Sequence, residues 1–380
     1  MIHKPRFKRQ YRVEVRSAEL VLLFWEHGVR SIKGRLHPLL APLIDGNRTA
    51  AEIADLLSGQ ATGLDVAFGL SLLEQDGYIE EGDQEPAWLG YFNERRGVSN
   101  REARERLDRS QVSLLALDDI NCAPIAAALG AMGVPVSHQG THEVVLVNDY
   151  LRPELDGVSR SRSVSKRPWL LAKPVGTVHW LGPVFDGKEG PCWNCLALRL
   201  REIRAAQYSV CAGSGADGLR PPGPEPPQAF PATTQLLAME IFRWVVESGG
   251  LRELVTLDYS SGAHERHVVV RRQNCPQCGR EKAPSRRMRP ELKSRYKASP
   301  LDGGYRVESP DEVIARYARH LSPVTGIVSR LEPYGPEREG IAPSYVAEHL
   351  FAPRTAGPGS GAEAWQSRYG LISSLAEFGH

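Results

Sequence analysis

Two Cys-x-x-Cys pairs, Cys192/Cys195 and Cys275/Cys278, are the residues in this 380-residue chain whose type and spacing point most directly to chemistry. Each pair puts two thiolates on one tight turn, and together they supply the four sulfur ligands of a tetrahedral structural zinc site. The second, Asn274-Cys275-Pro276-Gln277-Cys278-Gly279, has the Pro and Gly that suit a zinc knuckle, whose exposed backbone amides stabilise thiolate charge. The first, Pro191-Cys192-Trp193-Asn194-Cys195-Leu196, leads into an arginine-dotted helical stretch. One disulfide per pair, or a redox dithiol, is the alternative; a redox centre needs only one pair, so the duplication favours metal. The two other cysteines carry less. Cys122 reads as a half-buried free thiol at the start of a helix, and Cys211 lies in a flexible Ser209–Gly215 loop with no base near it in sequence. The histidines form no H-E-x-x-H spacing, so a catalytic zinc on a helix has no support.

Composition narrows the class. A net charge of +2 gives no overall drive toward nucleic acid or membrane, and the basic arm Lys4, Arg6, Lys8, Arg9, Arg12 reads as a solvated tail. No apolar run approaches the roughly 20 residues that span a bilayer, and charge near the N-terminus leaves no signal-peptide core. Four paired cysteines and two isolated ones suit a reducing cytoplasm, which is the expected location.

The elements that must position these residues fall into blocks. In the first ninety residues, Tyr11–Val15, Leu20–Trp25 and Gly28–Lys33 read as strands, the last two joined by a tight turn at Glu26-His27-Gly28. Leu36, Leu39, Leu40 and Leu43 have helical spacing. Thr49-Ala50-Ala51-Glu52 is a capping box opening a second helix to Leu57. A third helix, about Leu64–Gln75, is expected to bury Val66, Leu70, Leu73 and Phe68, and Gly77-Tyr78-Ile79 ends it and begins a strand. Strands, three helices and a closing strand make a winged helix-turn-helix. Residues 85–110 read as a charged helical linker.

From Val112 the pattern becomes α/β. Strands are expected at Val112–Leu117, Val144–Val147, Trp169–Lys173 and Thr177–Leu181, with a turn at Gly182-Pro183-Val184-Phe185. Further strands are expected at Leu254–Tyr259 and His267–Arg271. Helices are expected at Ala123–Met132 and Thr233–Ser248, with a Pro-rich loop over Pro221–Pro231. The domain boundaries read as 1–90, linker 91–110, 111–282, basic linker 283–300, and 301–380.

A winged helix invites a DNA-binding reading, but the third helix offers Asp65, Glu74, Gln75 and Asp76 with no Lys or Arg. Phosphate contacts dominate duplex affinity and require cations, so this helix repels DNA. The same fold can take an extended peptide against a sheet edge. The expected contacts are Val29, Arg30, Ser31, Ile32 and Lys33 on the strand, with Val66, Leu70 and Leu73 on the helix. The α/β block has the strand–helix–strand order of a Rossmann-type nucleotide fold with the wrong phosphate loop. Leu117-Asp118-Asp119-Ile120-Asn121-Cys122-Ala123-Pro124 contains no glycine and puts carboxylates where phosphate would sit. Asp149, after the second strand, would be a ribose ligand only in an intact site.

These residues resemble a known family. A winged helix carrying Asp45-Gly46-x-Arg48-Thr49-x-x-Glu52-Ile53 is followed by a glycine-loop-less, activating-enzyme-like domain. That domain holds Arg167-Pro168-Trp169-Leu170, Gly182-Pro183-Val184-Phe185 and the two Cys-x-x-Cys pairs. Over about residues 10–282 the chain resembles the leader-peptide-binding, ThiF-like component of cyclodehydratases that make thiazole/oxazole-modified peptides. The resemblance implies precursor recognition by the N-terminal domain, a structural zinc, and chemistry supplied by a YcaO partner. That partner uses ATP and magnesium to convert Cys, Ser or Thr into azolines. Asp302-Gly303-Gly304-Tyr305-Arg306 and Leu321–Val328 are similar to the opening of YcaO domains. Ser373-Ser374-Leu375-Ala376-Glu377 is similar to the helix that begins that family's ATP/magnesium carboxylates, Glu377 matching the first. The expectation is a partial α+β YcaO segment, the remainder lost or encoded separately, and a chain that is non-catalytic alone. Its partners would be a precursor leader and a YcaO protein, with no nucleic acid and no membrane; a homodimer stays open. A self-sufficient adenylating enzyme is the alternative.

Overall fold

A computed structural model describes residues 2–82, 97–187, 190–204, 226–247, 249–272, 275–279, 294, 296, 307–334, 344–349 and 369–372. Contacts divide the chain into two compact units, Met1–Arg106 and Leu107–His380.

The first unit runs β1 (Pro5–Phe7), β2 (Arg12–Ser17), β3 (Leu20–Trp25), β4 (Gly28–Lys33), α1 (His37–Leu40), a 3-10 turn (Ala41–Leu43), α2 (Ala50–Leu56), α3 (Gly63–Gln75) and β5 (Ile79–Glu81). β2, β3 and β4 form an antiparallel sheet in that order, and β1 pairs with β5. The expected capping box at Thr49/Glu52 is formed, and Thr62/Asp65 makes a second one at the head of α3. The second goes unread in sequence because Asp stands where a longer Glu or Gln is usual. β1 also goes unread, being three residues long with Pro at its start. Inward-facing Val21, Leu23 and Ile32 meet Leu40, Ile53, Val66, Leu70 and Leu73 in one core. Gly69, in the middle of α3, lets α1 come close. A Cβ there would lie 2.7 Å from a Leu36 methyl and 2.8 Å from a Leu40 methyl. Overpacking a filled site costs about 1–3 kcal/mol. Gly69→Leu is therefore expected to destabilise this unit by about 3 kcal/mol, read as a lower urea midpoint of the full chain.

Helix α4 (Asn100–Arg109) follows; of the expected linker, residues 83–96 lie outside the described residues. The second unit then builds a six-stranded sheet from β6 (Val112–Ala116), β7 (His142–Leu146), β8 (Trp169–Lys173), β9 (Val178–Phe185), β10 (Glu253–Asp258) and β11 (His264–Val268). The spatial order is β11-β10-β9-β8-β7-β6, with β6, β7 and β8 parallel and the rest antiparallel. β7 and β8 read as continuous apolar runs because both faces are covered. Helices α5 (Ala123–Ala131), α6 (Glu154–Ser165), α7 (Trp193–Ile203) and α8 (Ala229–Glu247) do the covering. α5 packs with α8 and α6 with α7. Leu155 of α6 and Trp193, Leu196, Ala197 and Leu200 of α7 share a core with Val145, Val147, Trp169, Leu171 and Trp180.

Three expectations are corrected. Gly182-Pro183-Val184-Phe185 is not a turn; it lies inside β9, with a cis Gly182–Pro183 bond. Tyr150, fully buried, aims its hydroxyl at the carbonyls of Gly182 (2.6 Å) and Leu171 (2.9 Å). The last strand starts at His264 rather than His267, in register with Leu257. Helix α6 was not expected, since ELDGVSRSRSVS has little apolar periodicity. Glu154 and Asp156 in its first turn complement the helix dipole, and Leu155 and Ser159 are its buried side chains.

After Tyr296 the described chain resumes at Val307. Helix α9 (Pro310–Tyr317) and a 3-10 turn (Ala318–His320) lead to an antiparallel sheet of β12 (Val328–Tyr334), β13 (Ser344–His349) and β14 (Tyr369–Ile372). Cys211, Asp302–Arg306 and Ser373–Glu377, including Glu377, lie outside the described residues.

Candidate functional site

Cys192 stands at the N-terminus of α7, and Cys275 and Cys278 lie on the turn after β11. All four sulfurs converge within 4.8 Å of one another. Individual separations are 3.3 Å for Cys195–Cys278, 3.5 Å for Cys192–Cys275 and 4.0 Å for Cys192–Cys195. A tetrahedral ion with about 2.3 Å metal–sulfur bonds needs sulfurs about 3.8 Å apart. The arrangement fits one ion held by all four residues, rather than two disulfides on separate loops. Cys195 and Cys275 are buried, whereas Cys192 and Cys278 are half-buried.

Electrostatics say the same. Hydrogen bonding with Cys195, then burial, pushes the Cys192 thiol well up, and burial lifts Cys278 to about 11. Hydrogen bonds from Cys192 and from the Arg272 amide, 3.4 Å away, pull Cys195 down to about 5. Four crowded sulfurs cannot all ionise bare, and a divalent cation resolves that conflict.

The residues between the cysteines are not spacers. Trp193 is fully buried and donates its indole N–H to Tyr150 O at 2.9 Å. The Gln277 carboxamide oxygen accepts from Asn194 (2.9 Å) and the Ser159 hydroxyl (3.0 Å), while its nitrogen donates to Ser159 O (3.0 Å). Asn194 also donates to Asp156 at 3.2 Å. Helix α6, the element that sequence reasoning missed, thus holds both knuckles. A small cleft, about 30 Å³, borders Cys192 and Cys278 and includes Arg162 and Arg167. Both guanidinium groups are engaged, Arg162 by Glu143 and Arg167 by Ser113 and the Gly140 carbonyl.

At the nucleotide position, the segment after α5 bridges Val136 to Val112 on the outer side of β6, whereas β7 lies on the inner side. An open α/β sheet would place a ligand in the crevice at the C-terminal end of β6. That crevice is filled. Asp118 accepts from the Asn148 amide at 2.7 Å and pairs with Arg152 at 3.1 Å, and Arg152 also donates to Leu117 O. Asp149 pairs with Arg204 at 3.1 Å. At the head of α5 the Ala123 amide is taken by Asn121 and Pro124 has no amide to offer. Cys122 is a half-buried thiol raised by burial. His142, four residues after His138, is turned edge-on to Trp244.

The winged-helix unit is electrically polarised. Residues 4–35 carry nine Lys or Arg against three Glu, while residues 49–82 carry seven carboxylates and no Lys or Arg. β4 pairs with β3 alone, so its other edge has no ladder partner among the described residues. Of the sequence-predicted contacts, Val29 (53 % exposed), Arg30, Ser31 and Lys33 face solvent, and Arg30 stacks near Trp25 and Tyr78. Ile32, Val66, Leu70 and Leu73 do not: all four are spent in the core. What α3 offers instead is Leu64 (82 % exposed) and Phe68 (64 %), one helical turn apart. Their i, i+4 spacing on the face opposite the core stripe was the available signal.

A winged helix-turn-helix domain family matches residues 6–81. No curated protein matches this chain in sequence. Among solved structures, a heterocyclase in complex with substrate and cofactor is 28 % identical with a TM-score of 0.84, covering 99 % of this chain and 52 % of that one. The heterocyclase TruD is 28 % identical with a TM-score of 0.72, covering 86 % and 49 %. The chain thus spans about half the length of the heterocyclases it resembles. Among the described residues no helix is long and apolar enough to cross a membrane.

Proposed function

We propose that this chain holds the leader of a ribosomally made precursor peptide and presents the following residues to a YcaO cyclodehydratase for ATP-dependent azoline formation. The observation that carries this reading is the likeness, over nearly the whole chain, to a heterocyclase bound to substrate and cofactor. The open β4 edge and the cation-free α3 support it, since a leader strand can extend the sheet while its apolar side chains meet Leu64 and Phe68. Zinc is the ion proposed for the four cysteines, which suit its preference for tetrahedral sulfur. It would be structural, fastening α7 to the turn after β11; ATP and magnesium would enter through the YcaO protein. Holding the leader raises the local concentration of the core peptide at a distant catalytic site. Self-sufficient adenylation has the filled crevice at Asp118–Arg152 and Asp149–Arg204 against it.

The test is a polarisation titration with a fluorescein-labelled leader of the cognate precursor peptide. Lys33→Glu and Phe68→Asp are each expected to weaken binding at least tenfold, about 1.4 kcal/mol. Both side chains are exposed, so the fold should survive. No binding by the unaltered chain would overturn the presentation role. ATP–pyrophosphate exchange by the purified chain would favour adenylation instead.

A further inference from the structure

His267 is buried on the edge strand β11, and both ring nitrogens are engaged: Nδ1 with the Ser322 hydroxyl at 2.8 Å, Nε2 with the Thr256 hydroxyl at 2.9 Å. The hydrogen-bond inventory fixes the protons. Ser322 Oγ already accepts from the Val324 and Thr325 amides, each at 3.1 Å, so its two lone pairs are used; the Thr325 hydroxyl is a longer 3.4 Å away, and the shortest contact, 2.8 Å to Nδ1, is left for the serine's own proton. Its O–H must therefore donate to Nδ1. The ring is then the neutral tautomer with the proton on Nε2, which donates to Thr256.

Ser322 is the anchor of a tight turn. Gly326 N donates to Ser322 O, Ser322 N to Val328 O, and Ile327 N to His320 O. A Cβ on Gly326 would fall 2.3 Å from Ser322 N, so only glycine fits. Val324 packs against the main core of the sheet. One imidazole thus ties the turn preceding β12 to the body of the unit.

We propose that His267 and Ser322 form a pH-sensitive clip that fastens the Leu321–Val328 turn, and the strand it opens, to the edge of the six-stranded sheet. An imidazolium has no lone pair on Nδ1 to receive the Ser322 proton. On protonation the hydroxyl must rotate, and Ser322 Oγ then gives up one of the two amides it holds. Glu265, whose carboxylate is 3.7 Å from Nε2, and Glu253 on β10 favour the charged ring. Burial opposes them and prevails, holding the ring below its ordinary value. The packed 3-10 turn adds Arg319 and His320. The clip is closed at neutral pH and opens as pH falls. It does not depend on the leader-binding reading.

The test is hydrogen–deuterium exchange by mass spectrometry on the full metal-loaded chain at pH 7.5 and pH 5.0, corrected for intrinsic rates. Peptides covering 320–329 are expected to gain at least tenfold more exchange at pH 5.0 than β6 to β8 do, those strands reporting any acid loosening common to the whole unit. His267→Ala and Ser322→Ala should show the fast exchange at both pH values. His267→Gln, which can still accept and donate, should stay protected at both. The clip is wrong if wild-type protection is the same at the two pH values. It is equally wrong if acid loosening persists in His267→Gln, or if Ser322→Ala leaves the turn protected. The wild-type comparison needs no variant to fold.

Discussion

Replacing Cys275 by Ser is expected to abolish stoichiometric metal binding and to lower the stability of the second unit by on the order of 5 kcal/mol. Structural zinc contributes about 10–16 kcal/mol in peptides that fold only around it. Here the large core behind β7 and β8 stands without the ion, so a fraction of that is the fair expectation. The loss should concentrate where the ion acts, at the contact between α7 and the turn after β11. Cys275 is buried, so its replacement cannot be compensated by solvent. Elemental analysis of the purified protein should give one equivalent of zinc for the unaltered chain and none for the variant, with a lower melting temperature. Cys122→Ser, whose thiol lies outside the cluster, should change neither. Full metal content in Cys275→Ser would refute a four-sulfur site.

Acid should weaken the second unit through His179 before any carboxylate titrates. Its Nε2–H donates to the Gly176 carbonyl at 2.6 Å, and Nδ1 accepts from Thr233, whose oxygen accepts from Tyr259 at 2.7 Å. The ring is fully buried, and burial holds its pKa down to about 4, helped by the nearby Lys173 ammonium. The unfolded chain, at about 6.5, takes up this proton first, so stability is complete above that pH and falls as pH drops toward 4. The full loss approaches about 3 kcal/mol, of which about 1.4 kcal/mol is reached by pH 5.5. Denaturant midpoints at pH 7.5 and 5.5, with zinc content followed in parallel, measure it. His179→Gln should be less stable at pH 7.5 yet lose about 1.4 kcal/mol less than the unaltered chain on acidification. An identical pH slope in the two proteins would mean that the His179 ring is not held neutral.

How much of this was legible in the residues depended on how local the signal was. The three strands β2 to β4, the Thr49/Glu52 box and α3 were readable because period, cap and turn residues agree over short spans. The four cysteines were readable because their spacing encodes a ligand set. What could not be read is what the fold brings together from afar. Gln277 and Ser159 are 118 residues apart, and nothing local in a Ser-rich, weakly amphipathic stretch announces that α6 will hold a metal knuckle. Along α3 the same stripe, Val66-Leu70-Leu73, is expected both to fill the core and to meet a peptide, and the core leaves it no open surface. Leu64 and Phe68 form the other stripe, and Phe68, expected inside, stays exposed because the core takes only the first. Gly182-Pro183 was taken for a turn because those residue types usually break strands. In β9 the Tyr150 hydroxyl meets the Gly182 carbonyl instead.

Cys192 and Cys278 lie 86 positions apart in sequence, and the two knuckles bring their ends of the chain together at one point. With an ion in place the intervening stretch is a closed ring, and α8 and β10 lie on its circumference. A peptide bond cut anywhere on that ring frees no fragment while the clasp holds. Because the packed core also holds the two pieces together, a nicked chain would separate only when a chelator and a denaturant act at once.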